Sequence, residues 1–207
     1  DVIVADSVRL GDACMGGDSV YWTEGRPTES GRQVLVRRRA DGTLSDITPA
    51  PFSVRTRVHE YGGNAFTVEG LSIWFSNDVD GRLYTVDADE CAPRPLTIAG
   101  AWRYAEPRLD AANNRLVCVR ETPVDSGEPI NELVAVALSD GAVQVLATGH
   151  DFYACPRPNG TGAQLAFITW DHPAMPWDGT QLWSADVDSS GALSSLTCQA
   201  GGDEESV

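Results

Sequence analysis

Two short stretches of this chain place arginine and glutamate next to a tyrosine, a combination that can bind a zwitterion. They lie at 53–63 and 101–107. Alternating acidic and basic groups can hold the charged end of a peptide, because charge-assisted hydrogen bonds are the strong ones. The alternative is that a His–Glu or Arg–Glu pair only fixes the local chain. The candidate substrate-binding residues are Arg57, His59, Glu60, Tyr61, Arg103, Tyr104 and Glu106.

The decapeptide WDHPAMPWDG at 170–179 is the most distinctive stretch of the sequence. Its two prolines stiffen the chain, and its two tryptophans are large amphipathic rings that favour interfaces. Its Asp and His residues are metal-ligand types, but such spacing is common by accident, and no metal site is predicted. We interpret the stretch as a contact surface for substrate or a neighbouring domain, the alternative being a structural plug. Its candidate binding residues are Trp170, Asp171, His172, Trp177 and Asp178.

The sequence contains no arrangement typical of nucleophilic catalysis. The string GGDSV at 16–20 lacks the closing glycine of a GxSxG elbow. None of the three histidines is placed as the base of a triad, and no glycine-rich phosphate loop is present. We therefore expect no catalytic residue and no cofactor in this segment.

The elements that position these residues follow from a repeat. Four leucines in short extended segments are 48, 50 and 49 residues apart, and a second apolar series keeps steps of 49, 50 and 50. A period near 50 built only of short strands is typical of β-propeller blades. The two series are Leu35, Leu83, Leu133 and Leu182, and Ile47, Leu96, Leu146 and Leu196.

The predicted fold is therefore all-β, a propeller with four four-stranded blades, whose strands run a to d from the inside outward. Asp-Gly pairs at 41–42 and 140–141 predict hairpin turns between strands c and d. The last six residues resemble the start of a fifth blade, which indicates a piece of a larger ring. The predicted blades are 1–50, 51–100, 101–149 and 150–201, with a fifth beginning at 202–207.

One face of such a propeller carries the long and unusual connections. In antiparallel blades the b–c loops and the d-to-a crossings emerge together, and binding residues gather on loops held by a rigid scaffold. We call this the loop-rich face and expect function there. Its b–c loops are 23–32, 121–131 and 170–179, and its crossings are 53–63, 101–107 and 150–156.

The three crossings share a tyrosine followed by Gly or Ala: Tyr61, Tyr104 and Tyr153. One interpretation is a repeated packing residue wedged between blades. The neighbours of these tyrosines differ from crossing to crossing, which suggests a task beyond packing. Gly62 and Gly63 are expected to supply backbone conformations closed to other residues.

Composition excludes some classes of function. The net charge is −15, from 30 acidic and 15 basic residues, and every basic residue is arginine. Such a surface repels nucleic-acid phosphates and anionic lipid, so neither partner is expected. No apolar run is long enough to span a membrane. The chain begins without Met or a leader, so we expect a true N-terminus further upstream.

Five cysteines without a CxxC or Cys/His cluster predict free thiols used as small core residues, most clearly Cys118. Reduced thiols favour a reducing compartment, so a cytoplasmic location is expected.

The strings VRTRVHEYGGNAF (54–66), WRYAEPRLD (102–110) and WDHPAMPWDGTQLW (170–183) resemble the N-terminal propeller of S9-family, prolyl oligopeptidase-like serine peptidases. The resemblance is closest to the acylaminoacyl-peptidase and dipeptidyl-aminopeptidase-like branch, and it covers essentially the whole chain. One departure is RPNGTG at 157–162, where the family has an SPDG turn.

The resemblance implies a seven-bladed propeller that covers a C-terminal α/β-hydrolase domain with a Ser-Asp-His triad. That domain hydrolyses short peptides or acyl-amino acids, and the propeller restricts entry to small substrates and helps hold the peptide N-terminus. His59, Glu60, Tyr61 and the loop 170–178 would then face the catalytic domain. The alternative is a non-catalytic propeller that serves as a protein-interaction scaffold of the WD40 or TolB type. Assembly into a homo-oligomer stays open.

Overall fold

The computed structural model describes residues 7–207, and the first six residues, with which the predicted blade 1–50 begins, lie outside the described residues. Within this range the chain forms four antiparallel four-stranded sheets in sequential strand order. The prediction of an all-β fold with four four-stranded blades is confirmed. Two short 3-10 turns, Pro27–Glu29 and Ala111–Asn113, interrupt the pattern.

The strands have the following bounds. Blade 1 comprises β1 (Arg9–Gly16), β2 (Ser19–Arg26), β3 (Arg32–Arg38) and β4 (Leu44–Asp46). Blade 2 comprises β5 (Phe66–Glu69), β6 (Ser72–Ser76), β7 (Leu83–Asp87) and β8 (Arg94–Pro95). Blade 3 comprises β9 (Arg103–Asp110), β10 (Arg115–Thr122), β11 (Ile130–Ala137) and β12 (Val143–Ala147). Blade 4 comprises β13 (Phe152–Pro158), β14 (Gln164–Trp170), β15 (Gln181–Val187) and β16 (Leu193–Gly201).

The hydrophobic core lies between successive blades. Tyr21 and Leu35 of blade 1 pack in one cluster with Phe66 and Phe75 of blade 2. Equivalent clusters join blade 2 to blade 3 and blade 3 to blade 4. A strand inside the stack is buried on both faces, which explains why β10 carries the continuous apolar run from Leu116 to Val119 instead of an alternating one.

The burial of the leucines that repeat in the sequence shows this stacking. Leu35, Leu83 and Leu133 are all 0% exposed, because the next blade covers each of them. Leu182, in the fourth sheet, is only half-buried. At the other end, Leu10 of β1 is 73% exposed. Within residues 7–207, the outer faces of the first and fourth sheets therefore lack the cover that every internal face receives.

The predicted turns between strands c and d are confirmed. Gly42 and Gly141 have φ of 87° and 72°, which residues with side chains rarely adopt. The carboxylates of Asp41 and Asp140 accept hydrogen bonds from the backbone N–H groups two residues later. A side chain at Gly141 would also meet the backbone carbonyl of Leu96, so this turn fits closely against blade 2.

The predicted shared tyrosine position holds for two of the three residues. Tyr104 and Tyr153 are the second residues of β9 and β13 and are 2% and 1% exposed. Tyr61 is 68% exposed, so the prediction is wrong for this residue. The crossing from β4 to β5 is much longer than the others and makes its own turn before the inner strand begins, and this turn places Tyr61 on the surface.

The five cysteines are free thiols in the part of the chain that the structure describes. Cys118 is fully buried in blade 3, and this burial raises the pKa of its thiol to about 12. In residues 7–207 we find no helix with the length and apolar character needed to cross a membrane.

A buried ion pair fixes blade 3 to blade 4 at the face opposite the loop-rich face. The Arg115 Nε donates to Asp110 Oδ2 over 2.8 Å, and the two side chains are only 7% and 2% exposed. The Arg115 Nη1 also donates to the carbonyl of Gly191 over 2.7 Å, and Asn113 Nδ2 donates to that of Gly162 over 2.8 Å. Both carbonyls belong to turns of blade 4, so the pair connects two sheets.

Arg115→Met is expected to destabilise the chain by about 3–5 kcal/mol, because it leaves the Asp110 carboxylate buried without its partner. Urea unfolding followed by circular dichroism measures this change. The control is Arg39→Met, which removes the exposed contact to Asp89 and should cost less than about 1 kcal/mol. Equal midpoints for Arg115→Met and wild type would contradict a structural role for the pair.

Candidate functional site

A pocket of about 480 Å³ opens on the loop-rich face where blades 3 and 4 meet the crossing from β4 to β5. The crossing supplies His59, Glu60 and Tyr61. Blade 3 supplies residues from both ends of the β10–β11 loop, and blade 4 supplies the start of β13. The pocket lining includes His59, Glu60, Tyr61, Arg103, Glu121, Asn131, Asp151, Phe152 and His172.

The crossing enters the pocket as a tight, strained turn. His59 and Glu60 have φ of 56° and 66°, two consecutive residues in the left-handed region that side chains disfavour. Val58, fully buried, accepts the backbone hydrogen bond of Gly62. Gly62 itself has φ of 85°, and a Cβ there would lie 2.8 Å from the Thr56 carbonyl oxygen. Strain of this kind persists only where the surroundings enforce it.

Glu121 is the residue that holds this turn. Its side chain is 1% exposed, and its Oε2 accepts the backbone N–H of His59 over 2.7 Å. Its Oε1 accepts a hydrogen bond from Arg103 Nη1 over 2.8 Å. Glu121 is not among the site residues predicted from the sequence. The available signal was its place at the end of the apolar strand RLVCVRE, where pairing in blade 3 sets it opposite Arg103 and Asn131.

Glu60 is therefore not the residue that fixes the crossing. Its side chain is 89% exposed, and its carboxylate lies 3.9 Å from Arg103 Nη1. An Arg–Glu pair does fix the crossing, as in the alternative stated from the sequence, but its acid is Glu121, whose Oε2 also accepts the backbone N–H of His59. Glu60 is left at the pocket mouth with a largely exposed carboxylate, and its contact with Arg103 is long.

His59 behaves as an apolar wall of the pocket. Its ring packs against Phe152, Trp170 and Tyr61 at centroid distances of 5.1, 5.6 and 5.8 Å. Burial lowers the pKa of His59 to about 4, and the neighbouring Asn131 side chain opposes this only in part. The imidazole is thus neutral at neutral pH.

The tryptophans of 170–179 have different roles. Trp170 is 7% exposed and stacks on Phe152 at 4.9 Å, so it supports the pocket from behind. Trp177 is 70% exposed on the same loop. Asp178 accepts the backbone N–H of Met175 over 3.1 Å and shapes the loop.

Two histidine–aspartate contacts fasten this loop to the crossing before β13, and we call them the His–Asp clasp. His150 Nδ1 lies 2.7 Å from Asp171 Oδ2, and His172 Nδ1 lies 2.9 Å from Asp151 Oδ2. Backbone N–H groups of Asp151 and His172 complete the clasp. Hydrogen bonds from the His172 backbone and ring lower the pKa of Asp151. In the described part of the chain, no group of three or more His, Cys, Asp or Glu side chains is placed to bind a metal ion.

Seven predicted site residues are not among those that line the pocket: Trp170, Asp171, Trp177 and Asp178 of the stretch 170–179, and Arg57, Tyr104 and Glu106. Arg57 pairs with Asp78 over 2.9 Å beside a second hollow of about 410 Å³. Tyr104 is 2% exposed and lines that same hollow from the second position of β9. Glu106 lies on the innermost strand, where its Oε2 accepts the backbone N–H of Cys155 from blade 4 over 2.8 Å.

The pocket combines carboxylates with aromatic walls, so it suits a ligand with a cationic group and an apolar side chain. The lining carries the carboxylates of Glu60, Glu121, Glu128 and Asp151 against the one guanidinium of Arg103, so its acidic side chains outnumber its arginine. The adjoining walls are a neutral imidazole and the aromatic rings of Tyr61 and Phe152. An ammonium group gains from a carboxylate and from aromatic faces alike.

Comparison with known proteins finds similarity among solved structures. The chain is similar to puromycin hydrolase, with 35% identity and a TM-score of 0.88 over 98% of this chain and 34% of that chain. It is similar to a puromycin-hydrolyzing peptidase of Mycobacterium tuberculosis, with 34% identity and a TM-score of 0.86 over 98% of this chain and 34% of that one. The chain thus spans about a third of the length of these two proteins.

A more distant likeness, to an acylaminoacyl peptidase of Pyrococcus horikoshii, shows the fold alone. The identity is 10% and the TM-score 0.63, over 92% of this chain and 32% of that chain. No family model matches the chain, and no curated protein matches it at a significant level.

The pKa of His59 predicts how stability depends on pH. The folded-state pKa, about 4, lies below the ordinary value of 6.5, so between these values the unfolded chain binds more protons. Stability is therefore complete above pH 6.5 and falls as the pH drops toward 4, by up to about 3 kcal/mol. His59→Gln should remove this part of the pH dependence in urea unfolding at pH 7, 5.5 and 4.

The control for this experiment is His172→Gln, which removes a half-exposed imidazole and should leave the same pH dependence in place. If His59→Gln loses stability with falling pH as steeply as the wild type, then His59 is not the buried neutral group that the packing indicates.

Proposed function

We propose that this chain, which resembles the propeller of S9-family serine peptidases along nearly its whole length, is the part of such a peptidase that admits and orients short substrates. The chemistry itself would belong to a C-terminal α/β-hydrolase domain of the same polypeptide. In this proposal the pocket on the loop-rich face lies toward that domain. The propeller would be seven-bladed, and this chain would provide four of its blades.

Exposed apolar side chains on the loop-rich face support a domain partner there. Tyr61 and Trp177 are 68% and 70% exposed, and Val79 and Ile130 are 64% and 52% exposed. These four residues lie on the crossing before blade 2 or at the b–c connections of blades 2, 3 and 4. Aromatic and aliphatic side chains grouped on one face are typical of an interface.

The observation that carries the proposal is the state of Glu60. Its carboxylate is almost fully exposed at the mouth of an aromatic-walled pocket. A different residue, Glu121, fixes the turn by accepting the backbone N–H of His59. We propose that Glu60 receives the α-ammonium of a peptide substrate and that His59, Tyr61 and Phe152 contact its first side chain. The substrate class is then short peptides with a free N-terminus.

In the complete enzyme, Glu60→Gln should lower kcat/KM for a dipeptide substrate with a free amine by about tenfold to a hundredfold, because one charge-assisted hydrogen bond is lost. The N-acetylated form of the same dipeptide should be nearly indifferent to the change. Steady-state kinetics on both substrates measure the difference.

The matched control is Trp177→Ala, which should lower activity on both substrates alike through the domain interface. Equal losses on free and blocked substrates in Glu60→Gln, at an unchanged melting temperature, would argue against amine binding by Glu60.

The domain partner has its own test. We expect the complete reading frame to encode, after this segment, a GxSxG elbow followed by Asp and His in an α/β-hydrolase pattern. A frame that continues only as propeller blades would favour the alternative, a non-catalytic scaffold that binds proteins.

A further inference from the structure

We infer that Glu121 is a positioning residue for substrate binding: it takes the close contact with Arg103, leaves Glu60 only a 3.9 Å contact with that guanidinium, and so keeps the exposed Glu60 carboxylate available to an ammonium group. This inference rests on the proposed function, since it concerns how the amine-binding carboxylate is kept available. Glu121 touches no reacting atom in this arrangement and acts only through its neighbours.

Glu121 and Glu60 compete for Arg103. Its guanidinium has two carboxylates within reach, Glu121 at 2.8 Å and Glu60 at 3.9 Å. The shorter contact is also the buried one, because the Glu121 side chain is 1% exposed and that of Glu60 is 89% exposed. Charge–charge attraction is stronger away from water, so Arg103 stays with Glu121.

Glu121 also sets the direction of the Glu60 side chain through the backbone. Glu121 accepts the backbone N–H of His59, the residue directly before Glu60. Both His59 and Glu60 are held in the left-handed region. One buried carboxylate therefore fixes the strained turn with one oxygen and Arg103 with the other, and the turn directs Glu60 outward.

Removing the charge of Glu121 would release Arg103. A glutamine at 121 keeps a carbonyl oxygen that can still accept the His59 N–H, but it has no charge to hold Arg103. The guanidinium would then move the short distance to Glu60 and neutralise it. The free amine of a substrate would have to displace Arg103 to bind.

The test measures kcat/KM for the free and N-acetylated dipeptide in the complete enzyme. Glu121→Gln should lower the value for the free dipeptide by about tenfold and that for the blocked dipeptide by less than about twofold. The same change made in a Glu60→Gln background should have no further effect on the ratio of the two, because the residue that Arg103 captures is already gone.

A second variant separates positioning from a general loss of structure. Glu121→Gln combined with Arg103→Gln removes the capturing cation together with its partner, so it leaves no unpaired buried charge and should regain the preference for the free amine. The control Glu132→Gln removes a half-buried carboxylate that pairs with Arg120 in the same blade, outside the pocket, and should not change the ratio.

The outcomes separate the inference from the function on which it rests. Suppose that Glu60→Gln lowers kcat/KM only for the free dipeptide, but Glu121→Gln lowers kcat/KM for both substrates equally. The positioning role of Glu121 is then overturned while amine binding by Glu60 stands. The same conclusion follows if adding Arg103→Gln to Glu121→Gln does not restore the preference for the free amine. If Glu60→Gln itself does not distinguish the substrates, amine binding by Glu60 is overturned, and the inference with it.

Discussion

The structure depends on one constraint, which is that each blade has two apolar faces and can cover them only with its neighbours. A four-stranded sheet alone cannot remove such surface from water, and the burial of apolar side chains is the dominant favourable term in folding. Leu35, Leu83 and Leu133 satisfy this constraint at the same position of three successive sheets. Because the same contact recurs between successive blades, apolar residues recur in the sequence at a regular period.

Because the blades are fixed by packing, their connections are free to vary. The turns on one face are mostly short, and those between strands c and d of blades 1 and 3 use Asp-Gly pairs. The loops on the other face carry charged and aromatic residues that the sheets do not need. The pocket combines a crossing between blades 1 and 2, two ends of a loop in blade 3, and the start of blade 4. A site built in this way has its geometry set by the scaffold, although none of its polar side chains belongs to the apolar core.

The fold and the face that carries the candidate pocket could be predicted from the sequence, but the contacts between residues within the pocket could not. Periodicity reports which residues face a neighbouring blade, so Leu35 and Tyr153 are predictable. Glu121 and His59 are 62 positions apart, and their contact depends on how two blades meet. Tyr61 shows the opposite error, because a shared residue type suggested a shared position, whereas the length of the crossing before blade 2 places this side chain at the surface. The His–Asp clasp likewise joins residues about twenty positions apart across two connections, and neither alone indicates the other.

The arrangement of the pocket across three connections has a thermodynamic consequence. Extensive contacts in residues 7–207 join only blades that are adjacent in the chain, so stability is close to a sum of nearest-neighbour terms, and blades can separate at one boundary while the others stay closed. A molecule bound in the pocket touches groups on both sides of such a boundary. Because the pocket lining comes from the crossing before blade 2 and from blades 3 and 4, the binding free energy of that molecule is added to every boundary that it spans. Ligand binding would therefore make the unfolding of the blades more cooperative. The ligand would stabilise the packing between the sheets in addition to filling the pocket.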